Sequence, residues 1–377
     1  MTVELRYAAF GEYPLVSRFL NEYWAKDHAY VRLPQLFEWT FGRSELWDRE
    51  GYSFALAEEK GEVVGILGGI PFTFNCFGKA SRAAWTANYM VRPDYRRGPL
   101  GVRLLSLLRR PPYETVVAFG VARSVIPLYR LLQWRVLEDI PRHFIVLPEA
   151  EDRMAHLLRL AQPDWTGERA TDLARFFCLA DIPAATVEYE KILPPNWDEY
   201  DWPQVASQTV GAARDLDYLT WRYVRHPVFR YRFIGVPEGH RTGLLIWRLE
   251  TIRHDKPDGA EEVDRLGRLV EFLPASHNNA RQLLTLFTQE LSEIQALGAD
   301  YYGYHGQSGD WLNEFGFRAV DEHPDGQAIP SRFQPLDQRG GCIRSAVSVP
   351  DMVPTCVSDV RCPWYWTKSD GDQDRPN

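Results

Sequence analysis

Val91-Arg92-Pro93-Asp94-Tyr95-Arg96-Arg97-Gly98-Pro99-Leu100-Gly101 is the stretch on which the fold turns. An apolar run from Ala83 to Val91 leads into it and reads as a strand. Leu100, Leu104, Leu105 and Leu108 follow at helical spacing, so an amphipathic helix begins there. A strand, a glycine-containing turn and a helix start together make a cradle for an anion. Backbone N–H groups and the positive end of the helix dipole face the same point. Pro99 fits in the first helical turn, where no N–H is needed. Taken alone, the turn also reads as plain architecture.

Downstream, Thr115 to Gly120 predicts a short buried strand. Ile126 to Trp134 predicts a helix, and Arg135 to Leu147 a strand. Upstream, Val3 to Ala9 alternates as a strand. Gly11 to Lys26 sets Leu15, Phe19 and Tyr23 on one helical face, and Pro34 to Phe41 predicts a second helix. Ser53 to Glu59 and Glu62 to Phe77 read as strands turning at Lys60-Gly61.

Arg96-Arg97-Gly98-Pro99-Leu100-Gly101 resembles motif A of the GCN5-related N-acetyltransferases, the GNAT superfamily, which bind acyl-coenzyme A. Pro99 stands where that motif has its first glycine. Leu128-Tyr129 followed by Gln133-Trp134 resembles motif B, with Gln-Trp in place of Gly-Phe. The strand and helix order of residues 1–148 is the superfamily's order. The resemblance implies a coenzyme A site at Met90, Val91, Arg96, Arg97, Gly98, Leu100, Gly101 and Val102. It implies Met90 or Val91 as the N–H donor to the thioester carbonyl, and Tyr129 as the acid that protonates the leaving thiolate. The other reading of Tyr129 is a half-buried helix residue.

The second half repeats the pattern. Leu216 to Tyr223 predicts a helix, and Arg230–Val236, Thr242–Ile252 and Arg268–Leu273 predict strands. Ile252 to Leu266 reads as a polar loop at a hairpin tip. Asn279–Leu297 is an amphipathic helix, Ala299–Tyr304 a strand, and Asp310–Phe315 a short helix with Asp310 as its cap. The segment Leu273-Pro274-Ala275-Ser276-His277-Asn278-Asn279 lacks the Arg/Gly cradle. The fold class expected is therefore α+β, as two GNAT-like domains in tandem, each a mixed, mostly antiparallel sheet flanked by helices. The domains are 1–148 for acyl-coenzyme A and 211–377 for the acceptor, joined by 149–210.

This layout, with Ile329–Leu336 and the Trp364–Asn377 tail, resembles the two-domain N-acyltransferases that act on nucleotide-linked amino sugars, as in D-anthrose biosynthesis. The resemblance implies transfer of an acetyl or 3-hydroxyacyl group from coenzyme A to a sugar amine. Two alternatives stay open: a Fem-type aminoacyl or peptidyl transferase, and a tandem GNAT that binds without catalysis. A diphosphate on the acceptor would suit Arg222 and Arg332, with Asp370 and Asp372 near the cleft. The strand before Val91 carries Trp85, Thr86, Asn88 and Tyr89 but no carboxylate. The base is then a water held by Asn88, or His305 from the second half, whose ordinary pKa lies near neutrality. Each arginine also reads as a solvated or salt-bridged surface group, and His305 as a structural histidine. The tail's aspartates also suit a solvated end, whereas Trp364, Tyr365 and Trp366 call for a docking surface.

Length and charge agree with these expectations. At 377 residues with 13 tryptophans, the chain suffices for two cores. A net charge of −8 argues against nonspecific nucleic-acid binding. The chain has no apolar run of membrane-spanning length, and its N-terminus lacks a signal-peptide pattern. Cys76, Cys178, Cys342, Cys356 and Cys362 form no Cys-x-x-Cys pair, so no metal site is expected and a reduced, cytoplasmic setting is.

Overall fold

The computed structural model describes residues 3–137, 139–255, 261–304, 306–334, 336, 342–348 and 363–376. The first half runs β1 (Glu4–Tyr7), α1 (Tyr13–Phe19) with a π turn (Leu20–Trp24), α2 (Ala29–Arg32), α3 (Pro34–Phe41), β2 (Phe54–Glu59), β3 (Glu62–Cys76), β4 (Lys79–Val91), α4 (Leu100–Leu108), β5 (Thr115–Phe119), α5 (Ile126–Leu131), β6 (Arg135–Leu137) and β7 (Arg142–Val146). A connecting region follows with α6 (Glu151–Ala161), α7 (Gly167–Phe176), α8 (Trp197–Tyr200), α9 (Trp202–Gln208), β8 (Val210–Ala212) and α10 (Leu216–Leu219), which continues as a π turn (Thr220–Val224). The rest is β9 (Tyr231–Glu238), β10 (Arg241–Asp255), β11 (Glu261–Leu273), α11 (His277–Glu293), β12 (Gly298–Tyr304), α12 (Gly306–Phe315), β13 (Arg318–Ala319), β14 (Ser345–Ser348) and β15 (Trp364–Thr367).

The strands form one continuous, mostly antiparallel sheet flanked by helices. Among the described residues the pairing is parallel only at β4–β5, β11–β12 and β8–β15. The first two are crossovers through α4 and α11, so each half carries one strand–helix–strand unit in corresponding positions. The long strands β3 and β4 are buried on both faces over 64–72 and 83–88, which is why these stretches read as near-continuous apolar runs rather than alternating ones. On one face α4 buries Leu100, Leu104, Leu105, Leu107 and Leu108 against Ala55, Ala57, Val64, Leu67 and Ala84. On the other face Tyr30, Phe37, Phe41, Phe54 and Phe72 form an aromatic core under α2 and α3.

The halves exchange strands. β14 inserts between β5 and β6, completing the first half's sheet with residues from far downstream. In return β7 pairs with β12 and β13. β15 bridges the seam, parallel to β8 and antiparallel to β12. Trp366 there is fully buried, 6.0 Å from Phe119 and 6.4 Å from Phe72 between ring centroids.

Several elements differ from expectation. The predicted strand Arg135–Leu147 is two, β6 and β7, which join different parts of the sheet. The polar segment 252–266 is largely strand. Thr251 and Arg253 face out and Ile252 and Asp264 face in, so alternation extends the ribbon beyond its apolar part. Helix α12 starts at Gly306, which puts Asp310 inside it rather than at its cap. Pro99 sits just before α4 instead of in its first turn. Cys76, Cys178 and Cys342 are free thiols, and Cys356 and Cys362 lie outside the described residues. No helix among the described residues is long and apolar enough to cross a membrane.

Candidate active site

The cradle begins where β4 ends. Arg92 Nε and Nη2 donate to Asp94 at 2.8 Å each, which fixes the exit from the strand. Arg96 Nε then donates to the Val91 carbonyl at 2.9 Å and closes the turn. The Gly98 amide is engaged by the Tyr95 carbonyl at 3.3 Å. The next amides are different. Leu100, Gly101 and Val102 are the first three residues of α4, and their N–H groups have no acceptor among the described residues. No side chain caps the helix, because Pro99 occupies the capping position. Arg97 and Gly98 are exposed beside this open end. A Cβ at Gly101 would lie 2.7 Å from the Tyr89 hydroxyl, so any other residue there would push that side chain aside.

β4 also opens toward β5. The two strands pair from Ala83 to Thr86, and the ladder stops there. A bulge between Ile66 and Gly68 shifts the β3–β4 register. Asn88 at the same level has a φ of +48°, a left-handed conformation that turns the strand aside. Residues 87–91, Met90 and Val91 among them, therefore present backbone toward β5 without a partner strand among the described residues. Such an edge suits an extended amide-bearing arm.

Asn88 is buried and faces His28, its Nδ2 3.4 Å from the ring Nε2. His28 Nδ1 accepts the Tyr30 amide at 3.2 Å, so the ring proton sits on Nε2. Asn88 Oδ1 has no partner among the described residues in this rotamer, and turning the amide by 180° gives Nε2–H its acceptor. Burial pushes the His28 pKa down to about 4. Arg375, Arg332 and Arg32 push the same way, and Asp372 opposes them. Three guanidinium groups thus bear on one neutral imidazole.

Tyr129 on α5 is 2% exposed and packs 4.9 Å from the Trp134 ring. Burial, with the neighbouring Tyr89, raises its pKa well above the ordinary tyrosine value, while a hydrogen bond with Thr86 opposes the shift. The hydroxyl is therefore protonated at every working pH.

Residues 369–376 cross the diverging ends of β4 and β5. Gln373 Nε2 donates to the Phe119 carbonyl at 3.4 Å and to Asp372 Oδ1 at 3.0 Å. Gly120 (φ +75°) adopts a left-handed conformation that favours glycine, and a Cβ there would displace the Gln373 amide, 2.3 Å away. Asp372 also accepts from Arg375 Nη1 at 2.8 Å. Asp370 is fully buried and accepts from Arg214 Nη2 and the Thr367 amide, both at 2.8 Å. Arg214 Nε donates to Glu271 at 2.7 Å. Arg222 is also buried, and its guanidinium donates to the carbonyls of Ser369 (2.9 Å) and Asp374 (3.2 Å). It holds the tail in place. Burial alone would raise the Asp374 pKa, but Arg248, at 2.7 Å, keeps that carboxyl well below the usual range. A cavity of about 10 Å³ beneath the tail is lined by Tyr30, Trp39, Arg222, His226 and Asp372, and admits no more than a water.

Met90, Val91, Asn88 and the cradle thus lie at one end of β4. Asp372 and Arg332 bear on the same end through His28, whereas Tyr129 is buried on the α4 side of the sheet beside Tyr89 and Thr86. Arg222 and Asp370 lie in the tail's own network. His305 lies outside the described residues. Sequence reading missed His28, which stands alone in the chain with no motif around it, and the buried pairings of Arg214 and Arg248.

Comparison with known proteins agrees with this fold. Residues 15–110 match the acetyltransferase (GNAT) family. No curated protein matches the chain. Among solved structures, Saccharomyces cerevisiae N-myristoyltransferase with bound myristoyl-CoA is 10% identical with a TM-score of 0.54, over 92% of this chain and 82% of that one. A probable N-acyltransferase from Enterococcus faecalis V583 is 10% identical with a TM-score of 0.53, over 91% and 72%. A GCN5-related N-acetyltransferase from Kribbella flavida is 14% identical with a TM-score of 0.52, over 92% and 70%. Residues 15–110 thus carry GNAT acetyltransferase sequence, within a chain whose fold is that of GNAT-type acyltransferases.

Proposed function

We propose that the protein is an acyl-coenzyme A-dependent N-acyltransferase whose coenzyme A site lies in the first domain, residues 1–148. The observation that carries this reading is the uncapped start of α4, with three free amides beside Arg96 and Arg97 at the end of an unpaired strand edge. The amides and the helix dipole receive the pyrophosphate. The β4 edge receives the pantetheine arm, and the Met90 or Val91 amide receives the thioester carbonyl.

Chemistry follows at the β4–β5 opening. The deprotonated amine attacks the thioester carbonyl, the C–N bond forms, and the C–S bond breaks. The amine's proton leaves toward water held by Asn88, with Asp372 as the carboxylate at this edge and His305 as the alternative base. Tyr129 protonates the thiolate. The acceptor we propose is a nucleotide-linked amino sugar, bound between the halves. Its support is the positive field of Arg32, Arg332 and Arg375 around His28, which suits a diphosphate.

A second reading, coenzyme A binding without transfer, is favoured by two observations. Tyr129 is almost fully buried, and the tail crosses the opening. A thiol-release assay with acetyl- and 3-hydroxybutyryl-coenzyme A, against a panel of amino-sugar nucleotides, separates the two. Release that needs an amine and falls in Tyr129→Phe supports transfer and the acid role. Binding by calorimetry with no release for any acceptor supports the second reading. No binding at all sinks both.

A further inference from the structure

Away from the cradle, α6 meets the outer end of the β10–β11 ribbon. His254 and Glu262 are directly opposed across that antiparallel ladder. His156 on α6 faces them, its ring centroid 5.8 Å from that of His254. One ligand atom from each of His156, His254 and Glu262 lies within 4.8 Å of the others.

The state of His254 makes this more than a meeting of surface groups. Its side chain is only 7% exposed. Nε2 lies 3.0 Å from Asp264 Oδ2, so it carries the proton and donates it. Nδ1 is left with a lone pair, buried and without a partner among the described residues. Asp264 is itself held by Arg153 Nη2 at 2.7 Å. Arg153 and His156 share one face of α6, three residues apart. A carboxylate that fixes a histidine's tautomer, and leaves its other nitrogen free to donate a lone pair, is the second layer of a metal site.

We propose that His156, His254 and Glu262 bind a zinc ion, with Asp264 orienting His254 and a fourth position open to water. Two imidazoles and a carboxylate suit zinc rather than magnesium or calcium, which prefer all-oxygen sets. Ligands about 2.0–2.1 Å from a tetrahedral ion sit roughly 3.3 Å apart, so the set must tighten from its present spread. His156 lies at the rim, where a change of rotamer can close the set. The positive charge of Arg153 is offset by Asp264. The ion would tie the connecting helix α6 to the sheet of the second half.

The test is calorimetric titration of chelator-stripped protein with zinc chloride, with magnesium chloride as control. One zinc per chain with micromolar or tighter affinity is expected, and a rise in melting temperature with it. His156→Ala and Glu262→Gln should each weaken binding about tenfold or more, while melting like the parent in chelator. Cobalt should give a tetrahedral visible absorption that His156→Ala abolishes. Absence of zinc binding at about 100 μM, or binding unchanged in His156→Ala, overturns the proposal.

Discussion

Two helices begin at corresponding places in the two halves, and they begin differently. At α11 the Ser276 hydroxyl accepts the Asn279 amide at 3.2 Å, a side-chain cap that closes the helix on itself. Asn279 then ties the helix to the sheet by donating to the Val236 carbonyl at 3.0 Å. At α4 a proline stands in the capping position and three amides stay open. An N-cap is worth about 1 kcal/mol. One half keeps that stability, and the other forgoes it and presents donors. Where a helix end is left unfinished beside two arginines, a ligand is the economical explanation.

The comparison can be broken in graded ways. Reversing both charges beside α4, Arg96→Glu with Arg97→Glu, should weaken coenzyme A binding about 100-fold, or about 2.7 kcal/mol. Arg281→Glu near the start of α11 should leave it unchanged. Calorimetry of both variants checks this, and equal losses would mean that the two helix starts do not differ in function.

Acid tests whether the two ends belong to one cooperative unit. Burial holds His28 and His143 down to about 4 and His226 to about 3. Unfolded, these rings titrate near 6.5 and bind more protons than the folded state between those values. Their neutral forms favour folding fully above pH 6.5, and that advantage is lost as pH falls toward 4. It amounts to roughly 3 kcal/mol per ring by order of magnitude. One unfolding transition that weakens steadily from pH 6.5 to 4 is expected. Two separate transitions would show that the halves unfold independently.

The finest cut exchanges the caps. Pro99→Ser gives α4 what α11 has. It should raise stability by about 1 kcal/mol and weaken coenzyme A several-fold, as the hydroxyl competes for the amides. Ser276→Ala should cost about 1 kcal/mol and leave coenzyme A affinity alone. Denaturant melts paired with calorimetry read both variants.

Where local chemistry decides an element, the sequence shows it. Helix α3 matches its predicted bounds because Pro34 opens it and Gly42 follows its last residue. Likewise the middles of β3 and β4 are largely apolar runs, and Leu100–Leu108 has one apolar face. Where the deciding partner is distant, the sequence is silent. Ser345-Ala-Val-Ser348 has no pattern of its own and becomes a strand because β5 and β6 leave a slot for it. The acidic tail suits a solvated end until Arg214 and Arg248, 156 and 126 residues away, are seen to meet Asp370 and Asp374. The cradle was legible because its amides and arginines are contiguous. His28 was not, because its meaning comes from Asn88, 60 residues on.

The exchange of β7 and β14 has a consequence for how the chain is made. As it leaves the ribosome, residues 1–137 hold an open edge on β5 that nothing nearby can cover, and β7 waits for strands about 150 residues downstream. The continuous sheet is not finished until β15 has emerged and closed the seam. Such long-range pairings slow folding and leave sticky edges exposed during synthesis. The two halves are therefore separable on paper but not by a single cut. A fragment ending at residue 148 would lack β14, and one beginning at 149 would lack β7.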